Sequence, residues 1–497
     1  MKKRNLVKNV IVGFGGQFIV ILLGFILPRL FISNYGSDIN GLLSTITQIF
    51  TYMALLEAGV GQASRNALFK PIANDDKNGI NVVISSSYHY FRKFTVYYAI
   101  CVIVFGIIAP YILNTNVDKI TVSLIILFQG LSGVFNFYFT ETPSILLSAY
   151  GKNYINSGIT LANRILSYFA QIVLAILGVN IVMVQVANFI ITIAKVFVYR
   201  IYINKKYSWI SYNSKIKNVE LKDRNSYVIT EAAWTVFSST DMVIISIFLN
   251  TQLASVYSVY NMVFNQISVL LNAVYASVLY VLGYSFHKNL KQYAVIHDSF
   301  TSAFLGTMTI IMSVCYVLII PFVTLYTKGV NDVNYIYKSL PLMFCSIQIL
   351  SWSRYVTGNL TGLAGYAKQT SYISLIEALT NLILSILFVN KFGIIGVTFA
   401  TVIALPLKVI WCLYVSDVKV LKRSFGKSIR ILGVNYLFFL VVVAVSSKYS
   451  PSINSALDFI IWGALLLIVF GIIGVALNLI VNRDCWNVVR RYILKRK

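Results

Sequence analysis

The residues of this sequence that could do chemistry are ionisable groups set inside apolar runs. Three are arginines: Arg29 in "GFILPRLF", Arg164 in "TLANRILS" and Arg354 in "SWSRYVTGN". A guanidinium presents a planar fork of N–H donors that matches two oxygens of a phosphate, so an arginine held at depth is a candidate anion contact. Two lysines, Lys195 and Lys408, occupy similar apolar surroundings. Five acids, Glu57, Glu141, Glu231, Asp241 and Glu377, fall in such runs as well. A carboxylate in a medium of low dielectric takes up a proton or a cation readily, which makes Asp241 and Glu231 candidates for ion coupling. Glu57, Glu141 and Glu377 are candidate gate residues, with Arg65 or Lys152 as partners for the first two.

Each of these has a plainer reading. Arg29, Lys195 and Lys408 lie close enough to a boundary for their stems to carry the charge to headgroups. Arg164 and Asp241 are candidates for buried ion pairs, and Trp352 and Tyr355 beside Arg354 either stack sugar rings or brace the guanidinium. Other chemistries are excluded more firmly. The five cysteines are scattered, with no CxxC spacing, so no metal or disulfide framework is legible. "GVGQAS" at Gly59 lacks the Lys-Ser/Thr of a phosphate loop, and no cofactor site or enzyme constellation is present in the pattern.

The elements that must position these charges follow from composition. The chain has 497 residues, 58% hydrophobic and 11% charged. A soluble domain cannot bury that much apolar surface, so this is a membrane protein. The net charge of +25 is spread between apolar runs and not gathered on one soluble face, which argues against nucleic acid as a partner. A helix needs about 20 residues to cross the hydrocarbon, and the sequence offers fourteen such runs, the first of them read as a retained helix and not a signal peptide. With the N-terminus inside, the outer connections hold only Lys119, Lys328, Lys391 and Lys448, while the inner ones hold most of the remaining Lys and Arg. The positive-inside rule then places both termini in the cytoplasm, with the basic inner segments against anionic lipid.

Two stretches repeat across the halves. "LLSAYGK" at Leu146 followed by "NRILS" at Asn163 is echoed by "GLAGYAK" at Gly362 followed by "NLILS" at Asn381, and Lys195 and Lys408 follow in turn. This maps the fourth to sixth helices onto the tenth to twelfth, as expected for two six-helix bundles related by an axis along the membrane normal. The expected organisation is a six-helix lobe at 1–205, a basic cytoplasmic linker at 206–225, a second six-helix lobe at 226–416, and two further helices with a basic tail at 417–497.

The stretches "PRLFISNYGSDINGLLS", "LLEAGVGQASRNALFKPI", "STDMVIISIFLN" and "NKFGIIGVTFATVIALPLKVIW", in this order, resemble polysaccharide repeat-unit flippases of the multidrug/oligosaccharidyl-lipid/polysaccharide exporter superfamily. The resemblance implies an all-helical flippase fold in the bacterial cytoplasmic membrane. It also implies export of undecaprenyl-pyrophosphate-linked oligosaccharides for O-antigen, capsule or exopolysaccharide. H+ or Na+ would be coupling ions, and other polysaccharide-assembly proteins would be partners. A cation-coupled drug or metabolite antiporter of the same superfamily is the alternative. In related lipid II flippases an Arg-Asp pair follows a Gly-Phe step in the first helix. Here Leu27 and Pro28 stand at that place, so Arg29 lies about 200° round the helix from it.

Overall fold

The computed structural model describes residues 3–212, 224–449, 451 and 453–485. They form helices α1 (Lys3–Tyr35), α2 (Ser37–Ala73), α3 (Lys77–Ile112), α4 (Lys119–Phe139), α5 (Glu141–Ala149), α6 (Asn153–Ile176) and α7 (Ile181–Lys206). Then come α8 (Arg224–Phe248), α9 (Thr251–Lys288), α10 (Leu290–Tyr326), α11 (Leu340–Leu363), α12 (Ala367–Leu413), α13 (Gly426–Ser446) and α14 (Ala456–Val481). No strand occurs among the described residues. All fourteen apolar runs fall on helix, because backbone polar groups in hydrocarbon have to be satisfied within the segment. Among the described residues, ten helices are long and apolar enough to cross a membrane. The helices α2, α8 and α11 and the short α5 fall outside that set, since each carries Ser, Thr, Asn or charge through its length.

Three predicted spans are built differently from simple rods. The fourth is divided at Thr140, which ends α4 and precedes α5. The eleventh and twelfth run together as α12, bent at Gly393, whose φ of 58° and ψ of −141° are open to glycine alone. A π-helical stretch, Tyr414–Val420, then leads toward α13.

The chain divides into two compact units, Met1–Ser255 and Val256–Lys497. In the first, Leu42, Ile46, Phe94, Tyr98, Ile125, Ile126 and Val184 form one buried cluster, and Leu68, Ile84, Phe91, Leu147 and Tyr199 form another toward the opposite helix ends. The helix α8, which the repeat assigns to the second half of the chain, packs along α2 within this unit. Their seam is polar. The hydroxyls of Thr45 and Ser246 meet at 2.5 Å and those of Tyr52 and Thr240 at 2.6 Å, and beyond the end of α8 Asn40 donates to the Ser255 hydroxyl of α9 at 2.7 Å. At one end of the seam the Asp38 carboxylate accepts from the Thr115 hydroxyl, the Asn116 backbone and side chain, and the Thr251 hydroxyl. Gly41 is required there, since a Cβ would sit 1.7 Å from the Thr251 carbonyl oxygen.

In the second unit, α10 is the central post, packed by α11, α13 and α14. Asn478 of α14 accepts from the Ser302 hydroxyl of α10 at 3.1 Å and exchanges hydrogen bonds with Asn435 of α13 at 3.0 and 3.1 Å. Interhelical amide bonds of this kind fasten spans where lipid supplies no competing partner. At one end of α10, Arg423 donates to Asp298 at 2.6 and 2.7 Å and to Asp417 at 2.7 Å, while Lys427 reaches Asp298 and Asp484. Burial alone would lower the Arg423 pKa, but these carboxylates override it and hold the guanidinium above its ordinary range.

The internal repeat has a structural counterpart. Gly151 and Gly365 both take positive φ, 68° and 82°, at the turn between consecutive helices. In each turn the residue after the glycine bonds back five residues, Lys152 to Leu147 at 2.9 Å and Tyr366 to Thr361 at 2.8 Å. This registers Gly151 with Gly365, two residues away from the match of Tyr150 with Tyr366 suggested by identity. Left-handed backbone selects glycine strongly, whereas the Tyr and Lys of a turn are free to shift.

The connection holding Lys328 and that holding Lys448 are both expected outside. Fusing a periplasm-active reporter at either position will give signal, and a cytoplasm-active reporter will give none. The reverse pattern at either site would overturn the orientation.

Candidate functional site

In the first unit four ionisable side chains come together. Arg164 lies on α6 eleven positions after Asn153, about 16 Å along the axis. It shares a helical stripe with Ser167, Gln171 and Ala175, which are buried, while Leu166, Phe169 and Ile176 on the far side are exposed as lipid-facing residues are. Arg164 is nonetheless exposed. No hydrogen bond or ion pair engages its guanidinium among the described residues.

Lys195 on α7 is an electrostatic neighbour of both Arg164 and Glu141. Its ammonium donates to Asn136 Oδ1 at 2.8 Å, and the Thr140 hydroxyl donates to the same oxygen at 2.7 Å. The break between α4 and α5 thus builds part of the site: it turns Thr140 onto Asn136 and starts α5 with Glu141. Arg65, half-buried on α2, also lies within electrostatic range of Glu141. Lys152 does not, and instead donates to the Tyr207 hydroxyl at 2.8 Å. The cluster holds three cations and one carboxylate.

The second unit arranges similar residue types differently. Arg354 of α11 and Glu377 of α12 are 3% and 2% exposed, and one guanidinium nitrogen meets both carboxylate oxygens at 2.6 and 2.7 Å. Lys408, half-buried further along α12, is an electrostatic neighbour of both. The Arg354 guanidinium lies 5.6 Å from the Tyr355 ring, so that aromatic braces it. Lys195 and Lys408 each stand fourteen residues after the first residue of their helical segment, Ile181 and Ile394. They are therefore equivalent in the repeat, one beside an exposed arginine and the other beside a buried ion pair.

Arg29, one residue past Pro28, is half-buried in α1. Asp241 is 4% exposed on α8, in the α2 seam near Tyr52. The side chains of Glu57 and Glu231 lie outside the described residues. No cluster of His, Cys, Asp or Glu able to hold a metal occurs among the described residues. Sequence reading missed three things: Asp38, Asn136 and the group around Asp298. The Gly36 turn in "NYGSDING" marks Asp38 as a helix start, but its partners come from two separate connections. Arg423 and Asp298 are 125 residues apart, which no local pattern reveals.

No protein-family model and no curated relative matches the sequence. Solved structures do. The lipid II flippase MurJ in an inward closed conformation is similar over 93% of this chain and 98% of its own, with a TM-score of 0.66 at 17% identity. An inward-facing multidrug resistance MATE transporter of the MOP superfamily covers 86% of this chain and 96% of its own, with a TM-score of 0.62 at 13% identity. A MOP superfamily transporter from Pyrococcus furiosus, described as having a binding pocket of reversed polarity, covers 85% and 97%, with a TM-score of 0.59 at 13% identity. At these identities the likeness is one of fold: the chain is a multi-pass, all-helical membrane protein with the MOP-type transporter fold.

Proposed function

We propose that the protein moves undecaprenyl-pyrophosphate-linked oligosaccharides from the inner to the outer leaflet of a bacterial cytoplasmic membrane, for O-antigen, capsule or exopolysaccharide assembly. The observation that carries this reading is Arg164, an exposed guanidinium on an inward stripe with Lys195 as its charge neighbour. A net-positive cluster at mid-depth suits a pyrophosphate and repels a cationic drug. Lobes 1–205 and 226–416 rock to expose it alternately, joined by the 206–225 linker, with 417–497 outside the repeat. Lys408 and Arg29 are secondary anion contacts. Glu57, Arg65, Glu141 and Glu377 hold gates or pairs. The test is reconstitution of the full chain in vesicles with a fluorescent lipid-linked oligosaccharide and, separately, a cationic dye. Movement of the glycolipid supports the reading, and movement of the dye alone replaces it with antiport.

Asp241 keeps a cation-coupled component in view, because a carboxylate buried in a transmembrane seam is stable only with a proton, a cation or a hydrogen-bonding shell. Asp241→Asn keeps the shape and removes the charge. The expected result is normal protein amount with transport that no longer responds to H+ or Na+ gradients. An unchanged response in this variant would exclude Asp241 as the coupling site, leaving Glu231 as the remaining candidate.

A further inference from the structure

The segment after α7 does not leave the first unit at once. Residues 207–212 fold back along the start of α3. Asn81 donates to the Trp209 carbonyl at 3.4 Å and accepts from the Ser211 backbone at 3.1 Å, and the Ser85 hydroxyl donates to the Ser211 carbonyl at 3.0 Å. This brings Tyr212 to 4.6 Å from Tyr88, ring to ring. The ladder continues: the Arg92 guanidinium lies 4.5 Å from the Tyr88 ring and 4.7 Å from the Tyr138 ring of α4. Two aromatic rings therefore lie within stacking distance of the guanidinium while the residue remains exposed. Its N–H edge makes no hydrogen bond and no ion pair with the described residues.

A stacked guanidinium is a pre-oriented fork. The rings restrict its rotation and leave the donors pointing outward, so little freedom is lost when a bidentate anion arrives. The position on α3 says what the anion is attached to. Val96, Ile100, Ile103 and Ile107 share the face of Arg92 at helical spacing and are 56%, 52%, 54% and 64% exposed. An apolar stripe about 16 Å long thus rises beyond the guanidinium, enough for a lipid chain through one leaflet.

We infer that Arg92, held between Tyr88 and Tyr138, docks the phosphate of an anionic amphiphile whose apolar chain lies along the Val96 to Ile107 face of α3. A soluble anion would use the fork and leave the stripe unused. The inner-leaflet position follows from the orientation read from loop charge; the site itself does not depend on the transported substrate.

The test uses the purified full chain in neutral detergent, titrated separately with undecaprenyl phosphate, dioleoylphosphatidylglycerol, dioleoylphosphatidylcholine and inorganic pyrophosphate. Bound species are counted by native mass spectrometry and thermal stability is recorded in parallel. The two anionic lipids are expected to bind Arg92→Gln about 10-fold more weakly than the wild type, with phosphatidylcholine and inorganic pyrophosphate unaffected. A difference confined to undecaprenyl phosphate supports the site and ties it to a polyprenyl headgroup, whereas a difference for both lipids supports it as a general lipid-phosphate site. Unchanged lipid binding by Arg92→Gln overturns the inference, and so does unchanged binding accompanied by lower thermal stability, which would make the ladder a staple for residues 207–212. Arg92→Lys keeps the charge over the rings and loses the fork, so it covers the case of a poorly folded glutamine variant. It is expected to bind about threefold more weakly, and binding equal to the wild type would overturn the bidentate contact. Because binding is counted without transport, failure here is distinct from failure of the flippase reading.

Discussion

Arg164→Ala will cut glycan export by about 10-fold or more while the protein stays in the membrane at its normal amount. The exposed guanidinium engages no protein group among the described residues, so its removal strands no buried partner. What is lost is a charge-assisted contact to phosphate, of about 1.5 to 3 kcal/mol, and each 1.4 kcal/mol is about a factor of ten. Arg164→Lys retains the charge without the fork and should keep part of the activity. Surface glycan and protein level need to be measured in the same cells. Parallel loss of both would mean that Arg164 supports the fold, and normal amounts of both would remove it from the site.

The opposite outcome is expected in the second unit. Glu377→Gln will leave Arg354 buried with its carboxylate gone and Lys408 nearby, three elements of a cluster reduced to two like charges. Breaking a buried pair from one side costs about 3 to 5 kcal/mol, comparable to much of a domain's stability, so the protein will be depleted from the membrane. Replacing both members, Arg354→Met with Glu377→Met, removes both desolvation penalties and should restore protein level to near wild type. Fluorescence-detected size exclusion of tagged variants separates the cases. A well-folded Glu377→Gln protein without transport would instead make Glu377 part of the transport cycle.

The contrast between these two arginines shows how far sequence carries. Both were legible as charges in apolar runs, because the bilayer fixes the length of a span and makes an internal charge conspicuous. Their environments were not. Arg354 finds Glu377 on the next helix, and nothing in "SWSRYVTGN" states which face of α11 meets α12. Arg164 has Lys195 as its neighbour, and Lys195 in turn meets Asn136 and Glu141 where α4 breaks at Thr140, a backbone event hinted at by the polar "TETP" but not located by it. The helices themselves followed the hydropathy closely, including the bend at Gly393, where two expected spans join without a loop. The α2–α8 seam was invisible for a different reason: isolated Ser, Thr and Asn are common in membrane helices, and only pairing gives them meaning.

That seam has a consequence for the conditions a cell meets. Its bonded members are hydroxyls and amides; of its two carboxylates, Asp38 is answered by neutral donors and Asp241 is buried away from electrolyte. Ionic latches weaken as electrolyte shortens the Debye length, from about 30 Å at 0.01 M to about 3 Å at 1 M. Dipolar contacts at bonding distance lie inside even the shortest of these lengths and carry little net charge to screen. The joint between α2 and α8 should therefore hold with the same strength in dilute and in briny surroundings.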